Sequence, residues 1–213
     1  VRMSKVVLFA ASLLVVAGVA SAGIIDPCDS PVVYNGPGIA CLFVCPQGDT
    51  DTFAQQGFTF DFTINDASGN PIADIPGSDF YLIDCDPLLD LTLCAGSASS
   101  AADSATNGNG QTTMSNGTMS AGGCADGLSV VVQGFILEDP AQNCEPYCFD
   151  ILVRSPDINA DLVVNLQDLA TFAACFPPLP YDPCCDFDCN ATVNLQDLAR
   201  FAFHFGPPGH ECN

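Results

Sequence analysis

The chain has 213 residues, of which 25 are acidic and only 4 basic, giving a formal charge of −21. A surface so short of Lys and Arg cannot neutralise phosphates, which excludes nucleic acid as a partner. Nearly half the residues are apolar and 15 are phenylalanine, which excludes a disordered polyelectrolyte.

At the start, Arg2 and Lys5 precede an apolar run from Val6 to Val19, and Ala20-Ser21-Ala22 is a small-residue cleavage site. Residues 1–22 therefore read as a signal peptide, with a mature chain from Gly23 that keeps only Arg154 and Arg200 as basic residues. No later apolar run reaches the roughly 20 residues of a membrane span. The expected location is secreted, extracellular or cell-surface associated, with no membrane span after signal cleavage.

All 13 cysteines follow the signal, eight between Cys28 and Cys148 and five between Cys175 and Cys212. In an oxidising compartment disulfides are the default, with pairs expected mainly within each group and connectivity left open. A bridge from Cys185 or Cys189 to Cys175 is one option for bracing the second group. Zinc competes poorly, because there is no Cys-x-x-Cys pair and both histidines, His204 and His210, come near the end.

Residues 23–154 read as an all-β domain. Phe58, Phe60, Phe62 and Ile64 alternate with polar residues, as on a half-buried strand, and Ala67-Ser68-Gly69-Asn70-Pro71 is its turn. Further strands are predicted at Phe80 to Asp84, Leu91 to Cys94, Gln111 to Met114, Leu128 to Ile136 and Cys148 to Arg154, with Ala95 to Asn109 as a flexible connection. About seven short strands in this length suggest a sandwich.

The phrases Phe60 to Ala73 and Asp103 to Thr113 resemble the first strand and turn, and a later hairpin, of bacterial Ig-like domains of the invasin and intimin kind. The resemblance spans residues 57–137 and implies a disulfide-braced Ig-like β-sandwich serving as spacer, stalk or adhesive module. No catalytic residue is assigned. A Ser-His-Asp or Cys-His site needs a histidine, and none lies between Gly23 and Phe203. Carboxylate pairs such as Asp84 with Asp86 read better as acidic turns than as a glycosidase pair.

After residue 154 one phrase is written twice. Val164-Asn165-Leu166-Gln167-Asp168-Leu169-Ala170 returns as Val193-Asn194-Leu195-Gln196-Asp197-Leu198-Ala199, which is an internal duplication. Each copy ends a twelve-residue loop with oxygen-bearing positions 1, 3, 5, 7, 9 and 12. They are Asp157, Asn159, Asp161, Val163, Asn165 and Asp168, then Asp186, Asp188, Asn190, Thr192, Asn194 and Asp197. This is the ligand spacing of an EF-hand calcium loop, in which a backbone carbonyl at position 7 joins the side-chain oxygens. Position 6 holds Leu162 and Ala191 instead of glycine, so a left-handed backbone there costs about 1–2 kcal/mol each. The plainer reading is two helix N-caps, Asn165 with Asp168 and Asn194 with Asp197, which does not call for acids at positions 1, 3 and 5. The first loop is expected to bind better, the cysteine beside the second being the penalty. Helices are predicted from Leu166 to Phe176 and from Leu195 to Phe205.

At these residues the sequence resembles the type I dockerin module, over about 155–208. That resemblance implies Ca2+ as the cofactor and a cohesin-like or cell-surface protein as docking partner. The resulting fold expectation is mainly β: an Ig-like sandwich at 23–154, then a small α-helical dockerin-like calcium-binding domain at 155–213. The expected function is a secreted non-catalytic structural or adhesive protein. The alternative is an accessory component, carbohydrate-binding or hydrolytic, of an extracellular polysaccharide-degrading assembly.

Overall fold

A computed structural model describes residues 23–46, 51–86, 91–94 and 100–205. The predicted signal segment, His210 and Cys212 lie outside the described residues. In chain order the strands are β1 (Val32–Asn35), β2 (Ala40–Phe43), β3 (Thr59–Thr63), β4 (Phe80–Asp84), β5 (Leu91–Leu93), β6 (Gln111–Met114), β7 (Ala121–Ala125), β8 (Leu128–Val132), β9 (Phe135–Ile136), β10 (Glu138–Asp139), β11 (Glu145–Pro146) and β12 (Ile151–Arg154). Helices α1 (Leu166–Cys175) and α2 (Leu195–His204) follow. The protein is mainly β, with sheets ordered β1-β3-β6, β4-β8-β9 and β2-β12-β7-β5 and a β10-β11 ribbon.

Strand β3 organises the larger core. Its alternation sends Phe60 and Phe62 inward, between Phe58 and Ile64, and all four are at most 1% exposed. Phe60 meets Tyr34 and Phe149 with ring centroids 5.5 and 5.1 Å away, and Phe62 meets Phe80 at 5.1 Å. Each such burial contributes about 1.5–3 kcal/mol, so this strand is held by its aromatic face.

Two expectations need correction. The apolar stretch from Leu128 to Ile136 is not one strand but the β8-β9 hairpin, because Gln133 and Gly134 take φ of 50° and 86°, the left-handed pair that a two-residue turn requires. The described part of the expected flexible connection, residues 100–109, is pinned. Thr106 is buried and its hydroxyl donates to the Ile72 carbonyl and accepts from the Ile75 amide, both at 2.9 Å.

The four-stranded sheet positions everything that follows. Ala40, Leu42, Ala121, Ala125, Ile151 and Val153 belong to the large core. Their alternates Cys41, Phe43, Gly122 and Cys124 lie on the other face, against the chain after residue 154. There Phe172 stacks on Phe187 and Phe201 at 5.6 Å each, and Phe43 of β2 meets Phe187 edge-on at 5.8 Å. The Arg200 guanidinium lies 5.6 Å from the Phe43 ring and donates to the Phe187 carbonyl at 3.1 Å. The helix pair thus completes its small core with a residue of the sheet.

Five disulfides join described residues. Cys28–Cys144 and Cys85–Cys148 stay within the β region, and Cys175–Cys185 within the helical one, as one of the two options for Cys175. Cys41–Cys189 and Cys124–Cys184 cross between them, so three of these five pairs lie within a group as expected and two do not. The crossing pairs start from β2 and β7, whose outward faces the loop–helix region covers.

Candidate metal centre

Both repeats fold into the same hydrogen-bonded loop. At position 1, Asp157 accepts from the amides of Asp161 (3.2 Å) and Leu162 (2.8 Å), and Asp186 from those of Asn190 (3.1 Å) and Ala191 (2.7 Å). At position 12, Asp168 accepts from Ile158, Asn159 and Asn165, and Asp197 from Phe187 and Asn194, at 2.8–3.2 Å. Positions 3 and 5 bridge two residues onward: Asn159 to Asp161, Asp161 to Val163, Asp188 to Asn190 and Asn190 to Thr192. At position 9 the side-chain amides of Asn165 and Asn194 donate through Nδ2 to the position-7 carbonyls of Val163 and Thr192.

The sharp turns are made as the spacing demands, without glycine. Leu162 and Ala191 at position 6 have φ of 68° and 65°, and Ala160 and Cys189 at position 4 have 58° and 54°. Asn165 and Asn194 also cap their helices in full capping boxes with Asp168 and Asp197. Capping accounts for positions 9 and 12. It gives no role to Asp157 or Asp186.

Burial sets the electrostatics. Asp157, Asp168, Asp186 and Asp197 are each at most 1% exposed, and the ion pair found among described residues, Arg154 to Asp126, is elsewhere. Burial, with Asp168 and Asp161 close by, pushes the Asp157 carboxyl up to about 6 against the stabilising Leu162 amide. Asp188 is raised by burial and then by Asp197. In the second loop, carboxylate oxygens of Asp186, Asp188 and Asp197 all lie within 4.8 Å of one another. Carboxylate, amide and carbonyl oxygens with no sulfur or imidazole match a hard cation such as calcium, so the donor set fits the ion that the spacing suggests.

Three supports from outside the loops were not visible in the motif. Gly122 of β7 backs onto Asp157. Tyr181 donates its hydroxyl to Asp186 Oδ2 at 2.8 Å, and burial, then this bond, pushes that hydroxyl up to about 12. Cys189, at position 4 of the second loop, is tied to β2. The weaker sequence candidates stay apart: the Asp86 amide closes a turn on Asp84, and His204 packs over Phe43 at 5.1 Å. Tyr34 and Tyr147 pack against the Phe149 ring, with centroids 5.6 and 5.3 Å away.

No protein-family model matches this chain, and no curated protein does. A solved structure of FdeC, described as a broadly conserved Escherichia coli adhesin eliciting protection against urinary tract infections, is similar at 17% identity with a TM-score of 0.35. The match covers 61% of this chain and 33% of that one, so the chain spans about a third of that structure, and a likeness this distant supports no functional argument.

Proposed function

We propose that this is a secreted, non-catalytic protein with a structural or adhesive role, in which an Ig-like β region is capped by a calcium-binding, dockerin-like pair of loops. One observation carries the calcium reading: four carboxylates, at positions 1 and 12 of both loops, are buried in a similar arrangement with no ion pair to a basic side chain among the described residues. Leaving charges out of water without a counter-ion costs several kcal/mol each, and a divalent cation offsets that cost for two or three carboxylates at once. Asp157, Asn159, Asp161, Val163, Asn165 and Asp168 would hold one ion. Asp186, Asp188, Asn190, Thr192, Asn194 and Asp197 would hold the other. The ion supplies positive charge and cross-links each loop to its helix, which makes binding free energy available for folding.

Five disulfides support an oxidising, extracellular setting. Among the described residues no helix is long and apolar enough to cross a membrane. The sharing of Phe43 and the two crossing disulfides favour a cap fixed on its own sheet over a freely hinged docking tag. Isothermal titration of calcium into the oxidised chain tests the reading. Two equivalents bound, with a rise in melting temperature reversed by EDTA, are expected. Unchanged melting in millimolar calcium and no heat of binding would reduce the repeats to capped helices.

A further inference from the structure

Strand β7 is made of Ala121, Gly122, Gly123, Cys124 and Ala125, all buried because the strand lies between two layers. Gly122 faces the first loop. A Cβ built on it falls onto Asp157 Oδ2, 2.6 Å from Asp157 Cγ and 3.3 Å from the Cα of Ala160. No side chain fits there unless the position-1 carboxylate moves. Backbone conformation does not explain the glycine: Gly123 has a φ of 87°, whereas Gly122 is not among the left-handed residues. The loop is also laced to the strand, with the Gly123 amide donating to the Asp157 carbonyl at 2.6 Å and the Ser155 hydroxyl to the Ala121 carbonyl at 3.2 Å. Ser155 Oγ in turn accepts from the Asp157 amide at 3.2 Å. In the second loop the position-1 Asp186 is steadied by the Tyr181 hydroxyl.

We propose that β7 is a wall of the first cation site, and that Gly122 is the positioning residue whose missing side chain lets Asp157 sit at position 1. Cation binding in that loop and pairing of the sheet therefore stabilise each other. This rests on the calcium reading above and adds that one of the two sites extends into the β region.

The test uses the full oxidised chain, with calcium as the probe. In Gly122→Ala, calorimetry is expected to show one of two calcium sites weakened about tenfold or more, the size of effect that disturbed ligand supports produce, with the other unchanged. Gly108→Ala, at a position with open space around it, should leave both sites unaltered. Hydrogen exchange supplies a readout independent of affinity. Calcium should slow exchange of the Gly123 amide in the natural chain and in the second-loop variant Asp188→Ala, but not in the first-loop variant Asp161→Ala. Those two variants leave the sheet untouched, so the inference stays testable if Gly122→Ala does not fold. Two full-affinity sites in Gly122→Ala, or a Gly123 amide indifferent to calcium while two ions bind, overturn the inference and leave the calcium reading standing. No calcium bound by the natural chain overturns both.

Discussion

The two copies of the repeat share seven consecutive residues and most of their internal hydrogen bonds, yet they are held in place by different means. The first is seated on β7, with Gly122 and Gly123 against Asp157. The second is held by Tyr181 on Asp186 and by the Cys189 bridge to β2. Local sequence therefore settles the loop, whereas its surroundings come from residues distant along the chain. Duplicated loops need not have equal affinities, and the difference is to be sought outside them.

Removing the closing carboxylates has the largest expected effect and breaks the equivalence of the copies. Asp168→Ala leaves three amides without their acceptor, Asp197→Ala two. Losses of about 4 and about 3 kcal/mol are expected in denaturant unfolding, since each stranded amide costs about 1–3 kcal/mol. Equal losses would mean that the third amide on Asp168 contributes nothing. Next comes the staple. Cys41→Ser with Cys189→Ser should cost about 2–4 kcal/mol in chemical unfolding and weaken calcium at the second loop alone. If both sites weaken alike, the bridge acts on the whole cap and not on its own loop.

A smaller change should follow Tyr181→Phe. It removes the hydroxyl that donates to Asp186, at about 1 kcal/mol, and calorimetry should find the second site about fivefold weaker with the first unchanged. The smallest effect is a gain. Leu162→Gly or Ala191→Gly relieves a left-handed backbone and should raise the melting temperature slightly, by about 0.5–1 kcal/mol of stability once glycine's greater freedom in the unfolded chain is counted. A loss at either position would show that its side chain packs better than its backbone suffers.

Much of this was legible where the signal is local. The Phe58 to Ile64 alternation gave β3, Phe80 to Asp84 and Gln111 to Met114 were bounded as β4 and β6, and the helices were placed within one residue at their ends. Leu162 and Ala191 take the left-handed backbone whose cost the missing position-6 glycines raised as a condition. Strand β7 was missed because Ala121-Gly122-Gly123-Cys124-Ala125 has no β-branched or aromatic residue, and its strand character comes from neighbours on both faces. The Gln133-Gly134 turn was missed because a valine run before it and Phe135-Ile136 after it read as one apolar stretch. Disulfide partners 60 and 148 residues apart are fixed by the packing of β2 and β7 against the loops, which no spacing rule reaches.

The Cys41–Cys189 bridge also decides how the molecule bears tension. Pull the chain from a point before Cys41 and a point after Cys189, and the load passes through the sulfur–sulfur bond instead of along the chain between these cysteines, which stand 148 positions apart. That stretch, on the order of 500 Å if drawn straight, stays slack however hard the ends are pulled. The first loop and most of the strands lie inside it, so they would remain folded under a steady tug until the bond itself was reduced, whereas the second loop continues past Cys189 to Asp197 and is not shielded in the same way.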